Sequence, residues 1–327
     1  MLSLPSEVQL DVLKSLNFTQ LFSLKQANFY FRNLINKYEG ELARMEFFKI
    51  DIADIDSPQI LREYKSIDSQ SGVFEFTLND QLKEKWQEAI DNSIPLFLHE
   101  EDSKFALIVA KNSVFYVLNL ENFPKNIEKM IIVRCWLEQL FKCAFEYCNF
   151  RDVVFNPEMI NILFDNYNTI PTQFNIRHTY LSPSNNLCKN LLDLVLNHCA
   201  ICELYIDFMD VEIIEQYTDI LFNILINEGN KFPKVFFQFS SEFPALCDLI
   251  VEHITTKDCS KIVPYILLRI FYEANFKLSE RAEKVEIEQL DDVKFTDYQI
   301  SNISRFYFYY KEPKAKFDLN TLTIIKK

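Results

Sequence analysis

The sequence predicts an α/β chain: a short head of three helices, then an irregular repeat of strands and helices. Three observations carry this reading. Apolar residues recur at helical spacing over roughly the first fifty positions and are broken twice by polar turns. From residue 122 onward, short runs of strand character alternate with amphipathic helical segments. Three of those runs, Phe174-Asn175-Ile176, Leu204-Tyr205-Ile206-Asp207-Phe208 and Val235-Phe236-Phe237-Gln238-Phe239, begin about thirty residues apart. Strand followed by helix at a period of roughly 20–50 residues marks units that cannot bury their apolar faces alone and stack on one shared core, an α/β solenoid. An α+β domain with coincidental spacings is the alternative.

The head begins at Leu4-Pro5-Ser6-Glu7-Val8. Pro5 suits a helix start because its missing N–H is among those a first turn leaves unpaired. Ser3 and Ser6 are both candidate N-caps, and Glu7 complements the helix dipole. Val8, Val12, Leu13 and Leu16 follow at helical spacing. A break at Asn17-Phe18-Thr19 precedes a second short segment with Leu21, Phe22 and Leu24. A third puts Ala27, Phe31, Leu34, Ile35 and Tyr38 on one face. So small a unit buries little surface and must rest on the rest of the chain or on a partner. The plain reading of it is a helical cap on a larger fold.

The order of residue types adds to that reading. Leu-Pro-x-Glu-Val, Val-Leu-x-x-Leu, Phe-x-x-Leu and Ala-Asn-x-x-Phe-x-x-Leu-Ile resemble an F-box over residues 2–48. Phe31 stands where that motif usually has Trp, and Ala27-Asn28 where it often has Val-Cys. Tyr38 to Arg44, Lys85-Trp86-Gln87-Glu88-Ala89-Ile90 and the Phe/Asn-rich remainder resemble the large, lineage-expanded F-box families of nematodes. The resemblance implies a non-catalytic substrate-recognition subunit of a Skp–cullin–F-box ubiquitin ligase. Its head would dock a Skp-type adaptor, and a cullin through it, by Leu4, Pro5, Val8, Leu13, Leu16, Leu24, Phe31 and Leu34. The remainder would hold a target protein. A solenoid interaction scaffold without ligase involvement is the alternative.

Three regions are expected: an F-box-like helical domain at 1–48, a connecting segment and mixed α/β start at 49–121, and the α/β repeat at 122–327. Glu41 to Lys49 reads as a charged helix. Asp51 to Gly72 reads as a connector with a short helix near Ile60 to Tyr64. A strand is expected near Val73, Phe74 and Phe76, then a helix through Leu82, Trp86, Ala89 and Ile90 capped by Asn79. Pro95 to His99, Phe105 to Val109 and Val114 to Leu120 read as strands with hairpin spacing. In the repeat, strands are expected at 130–133, 152–155, 173–180, 203–208 and 234–239, and helices at 136–147, 157–164, 186–198, 211–226 and 243–254. Asn156 and Pro157 mark one helix start, and Gly229 a helix stop. Lys261 to Tyr272 fits either helix or strand. The tail reads as capping strands at 284–290, 305–311 and 321–325, the second with three aromatics facing one way. Because the regular Leu-x-x-Leu-x-Leu-x-x-Asn string is missing, likeness to leucine-rich repeats is structural analogy only.

Composition excludes several function classes. Of 327 residues, 49% are hydrophobic and 31 are Phe, which supports a sizeable core. The only glycines, Gly40, Gly72 and Gly229, lie too far apart for a phosphate-cradling loop. A net charge of −13 without a dense basic run disfavours nucleic acid and anionic membranes. No apolar run approaches the ~18 residues of a membrane helix. Glu7 and Asp11 stand where a signal peptide would be apolar, so a cytoplasmic or nuclear protein with reduced thiols is expected.

No constellation selects a chemistry. Cys199-x-x-Cys202 beside His198 lacks a second ligand pair at zinc spacing, so core roles are expected and no metal. His99, His178, His198 and His253 sit in no recognisable motif, and neither catalytic residue nor cofactor is expected. Glu100-Glu101-Asp102 and Asp291-Asp292 read as solvated turns. Aromatics such as Tyr205, Phe237 and Tyr307 would make a recognition surface if exposed, and core if not.

Overall fold

The computed structural model describes residues 4–54, 64–70, 76–100, 103–165, 172–240, 244–270, 278–301, 305–313 and 319–327. Helices α1 (Ser6–Lys14), α2 (Phe18–Ala27) and α3 (Phe29–Lys37) form the head where apolar spacing placed them. Pro5 takes the N-cap position of α1 and Ser6 is already helical, so Ser6 does not cap; Ser3 lies outside the described residues. Asn17 opens α2 with a capping box: its Oδ1 accepts from Gln20 N and Gln20 Oε1 accepts from Asn17 N, each at 3.0 Å. Asn28 caps α3 by accepting from Tyr30 N at 2.8 Å. Leu13, Leu21, Phe31, Ile35 and Leu42 close a small core separate from the main one.

The charged helix expected over 41–49 does not form. After one 3-10 turn at Glu39–Glu41 the chain enters β1 (Met45–Asp54), where Ile50 and Ile52 alternate inward and two partner strands satisfy the backbone. Tyr64, expected to end a helix, begins β2 (Tyr64–Ile67); residues 60–63 and the expected strand positions Val73 and Phe74 lie outside the described residues. Helix α4 (Asp80–Asp91) is capped by Asn79, which accepts from Leu82 N at 2.8 Å. Its Trp86 is buried and donates Nε1–H to Ile162 O at 3.0 Å. Strands β3 (Phe97–His99), β4 (Phe105–Lys111) and β5 (Val114–Leu118) lie where expected. Asn112 and Ser113, both left-handed with φ of 49° and 65°, turn β4 into β5 in the twist that two-residue hairpins prefer.

Residues 130–133 are not a strand. They belong to α5 (Ile127–Phe141), which Asn126 caps by accepting from Lys129 N at 2.9 Å. Met130, Val133, Leu137 and Leu140 are its buried stripe, and the apolar Met-Ile-Ile-Val run is simply a helix buried almost all round. The helix expected to reach Tyr147 stops at Phe141, because Cys143 onward pairs as β6 (Cys143–Phe150). Strand β7 (Val153–Phe155), α6 (Pro157–Phe164, capped by Asn156), β8 (Phe174–Leu181), α7 (Asn185–His198) and β9 (Cys199–Phe208) follow the expected order. The helix expected from 211 starts later: a 3-10 turn at Ile214–Tyr217 leads into α8 (Thr218–Asn227). Gly229 stands just beyond it for want of room, since a Cβ would lie 2.4 Å from Ile262 O. Strand β10 (Lys234–Phe239) and α9 (Pro244–Thr256) follow, and β11 (Tyr265–Ile270) makes the centre of the ambiguous segment strand; residues 271 and 272 lie outside the described residues. In the tail, β12 (Glu283–Leu290), β14 (Arg305–Pro313) and β15 (Asn320–Lys326) match expectation, and β13 (Val293–Ser301) was not anticipated.

Thirteen strands share one open sheet, in the order β12-β13-β14-β15-β11-β10-β9-β8-β6-β1-β4-β5-β2; β3 and β7 pair separately. From β1 to β11 six neighbouring strands run parallel. The tail adds an antiparallel meander at one end, and β4–β5 a hairpin at the other. The expected 121/122 boundary falls inside this sheet, because β1 pairs with β4 on one side and β6 on the other.

The block β6-β8-β9-β10-β11 advances in one direction without reversal. The buried residues of α6 to α9 share one core with the inward strand residues, which places these helices on one face of the sheet, as crossovers of a single hand require. That face is the core, where Phe141 meets Phe174 with ring centres 4.8 Å apart and Phe174 stacks on Phe155 at 5.0 Å. On the opposite face Phe48, Tyr147 and Tyr180 are exposed, and among the described residues that face is open. No helix among the described residues is long and apolar enough to cross a membrane.

Candidate functional site

On the open face the alternation slips by one residue at the same register in four strands. Phe48-Lys49, Glu146-Tyr147, Arg177-His178 and Cys202-Glu203 each place two consecutive residues outward, while Ile50, Cys148, Thr179 and Leu204 just beyond are buried. The slip doubles the density of outward side chains along that line.

His178 lies at its centre. Its Nδ1 is 2.8 Å from Glu203 Oε2 and its Nε2 3.6 Å from Glu146 Oε1. Its ring stacks on Tyr147 at 5.4 Å, and Tyr147 meets Phe48 edge-on at 5.2 Å. Lys234 donates to Glu203 Oε1 at 2.7 Å, and that bond, with the one from His178, holds the Glu203 carboxyl below its ordinary pKa against the opposing effect of burial. Glu203 in turn raises the Lys234 ammonium.

A second line runs two residues on. Tyr180 stacks on Tyr205 at 5.0 Å, Tyr205 on Phe236 at 6.4 Å, and Phe236 meets Tyr265 at 5.6 Å. The tyrosine hydroxyls are held in place: Tyr180 donates to Asp207 Oδ2 at 3.0 Å and Tyr205 to Gln238 Oε1 at 2.7 Å. Partial burial pushes both phenols above their usual pKa, with Asp207 adding to the shift. Of the aromatics expected to form a surface, Tyr205 and Tyr307 face outward. Phe237 does not: it is fully buried, and its neighbour Phe236 takes the outward place. In β14 the inward set is Phe306, Phe308 and Tyr310.

The head residues divide in two. Leu13 and Phe31 form the head's own core, with Leu16, Leu24 and Leu34 packed against it. Leu4 and Val8 are 40% and 41% exposed, and Pro5 is exposed beside them. Two residues not singled out from the motif, Phe29 and Tyr30, are 74% and 45% exposed. Buried Gln9 links the two groups: it donates to Leu4 O at 2.7 Å and accepts from the Tyr30 hydroxyl at 2.8 Å. Only their exposure singles these aromatics out, since both stand in an ordinary helix start.

All eight cysteines are free thiols. Cys199 is buried and Cys202 outward on β9, and burial pushes the Cys199 thiol up to about 12. His198 Nδ1 lies 3.1 Å from Thr172 O. Among the described residues no group of three or more His, Cys, Asp or Glu side chains could hold a metal ion.

Residues 67–209 match the family model of a domain of unknown function (DUF8381), a span that runs from the end of β2 through β9 and includes His178, Glu203, Tyr180 and Tyr205 but not Phe236 or Tyr265. No curated protein and no solved structure matches the chain.

Proposed function

We propose that this chain is the substrate-recognition subunit of a Skp–cullin–F-box ubiquitin ligase. The observation that carries the reading is the head. Three short helices with a core of their own leave Leu4, Pro5, Val8, Phe29 and Tyr30 uncovered at one end. An apolar helical surface of this kind suits burial against a partner, as in helix-in-groove recognition. Around it the Leu-Pro-x-Glu-Val start and the Phe-x-x-Leu spacing supply the resemblance to an F-box.

The body then acts as the target-holding part, and we read its five consecutive parallel strands as an irregular α/β solenoid. Its open face offers aromatic rows of the kind that dominate interface hot spots. The contribution to ubiquitin transfer is proximity, with no residue of this chain in the chemistry.

Co-purification of the full chain with a Skp-type adaptor, and its loss in the Leu4→Ala, Pro5→Ala double variant, tests the reading. A folded protein that never captures the adaptor would leave an interaction scaffold whose helical head serves only as a cap.

A further inference from the structure

Between head and sheet lies a cavity of about 560 Å³. Leu21, Phe22 and Ile35 of the head face Val109, Trp136 and Leu140 of the body across it. Small-molecule sites are typically ~300–1,000 Å³, mostly apolar, with a few placed polar groups.

Its polar lining includes Gln139 and Tyr116, and its charged groups are mostly cations. Arg44, Lys111, Lys25 and Lys142 line the cavity against a single carboxylate, Glu39. That carboxylate is shared by Lys25 at 3.5 Å and Lys142 at 3.4 Å. Arg44 donates to Phe141 O at 2.8 Å, and Lys111 stands over the Phe47 ring at 5.5 Å; among the described residues neither is ion-paired with a carboxylate. Burial holds the Arg44 guanidinium below its ordinary pKa, the mark of a charge partly stripped of water. Arg44 and Lys111 also line the wider groove that adjoins the cavity, so both sit at its mouth. A desolvated cation beside an apolar chamber is relieved by an anion that carries its own apolar body.

We propose that this cavity binds an amphipathic carboxylate, with its tail in the seam between head and body and its carboxylate on Arg44 and Lys111. The proposal stands apart from adaptor docking, because the cavity does not include Leu4, Val8, Phe29 or Tyr30.

Calorimetric titration of the full chain with decanoate, below its micellar concentration, and with decanol tests it. Saturable one-to-one binding of decanoate is expected, at least about tenfold tighter than decanol. Lys111→Gln should weaken decanoate about tenfold and change decanol by less than about twofold. Arg44→Gln should act likewise, and the Lys111 variant, at a half-buried strand end, keeps the test valid if Arg44→Gln fails to fold. No saturable decanoate binding, equal affinity for the two ligands, or decanoate affinity unmoved by Lys111→Gln would each overturn the proposal.

Discussion

Tyr30 and Gln9 are joined by a 2.8 Å hydrogen bond from the phenol to Oε1, and Gln9 is only 2% exposed. The bond fixes the start of α3 against α1 and holds Leu4 next to Tyr30 through the Gln9 amide. Gln9→Ala removes both contacts at once. The head should lose about 1–3 kcal/mol by chemical denaturation. Adaptor affinity should fall as well, because Leu4 is no longer tethered.

Phe29 should behave differently. It is 74% exposed, so Phe29→Ala is expected to change stability by less than about 0.5 kcal/mol. Adaptor affinity should drop about tenfold or more if the aromatic is a hot spot. Denaturant midpoint and affinity, measured on the same sample, separate the two effects.

On the sheet, adjacent residues of β10 make a paired test. Phe237 is 0% exposed in the core, and Phe237→Ala should cost about 3–5 kcal/mol. Phe236 lies on the open face between Tyr205 and Tyr265, and Phe236→Ala should cost much less. Similar losses in urea would contradict the assigned faces.

At Gly229 the limit is space. Its N–H donates to Lys261 O at 2.8 Å, and a Cβ would meet Ile262 O at 2.4 Å. Gly229→Ala must push backbone apart and should destabilise by about 1–3 kcal/mol in a thermal melt corrected to a common temperature.

Glu203 gives a pH dependence. Its folded pKa is depressed below the ordinary glutamate value, first by the Lys234 hydrogen bond. Its contribution is therefore fully present above that value and is lost as pH falls through the lower folded pKa. The group is partly exposed, so the effect is under about 1 kcal/mol. Melting temperatures of the native chain and Glu203→Gln should differ slightly at neutral pH and converge in acid.

Much of the fold was readable because local patterns agreed with it. Asn79 and Asn156 cap the helices they should, and the runs at 174, 204 and 235 pair side by side in parallel. The errors have physical causes. The 130–133 run is apolar on all sides, so its period is hidden and only the Asn126 cap marks it as helix. Charges at Glu46, Lys49 and Asp51 disguised β1, since they alternate with Ile50 and Ile52 on a strand with one wet face. Polar residues likewise hid β13, where Thr296 and Gln299 are buried by neighbouring strands. The site was less readable still. Local alternation assigns outward residues one strand at a time, whereas the slip at Tyr147, His178 and Glu203 is a property of four paired strands.

The most direct test of the central claim is a calorimetric titration of the full chain with a purified Skp-type adaptor. Saturable one-to-one binding, abolished by Leu4→Ala with Pro5→Ala while the melting temperature holds, is the predicted result. No binding by a folded chain, or undiminished affinity in the double variant, would contradict it.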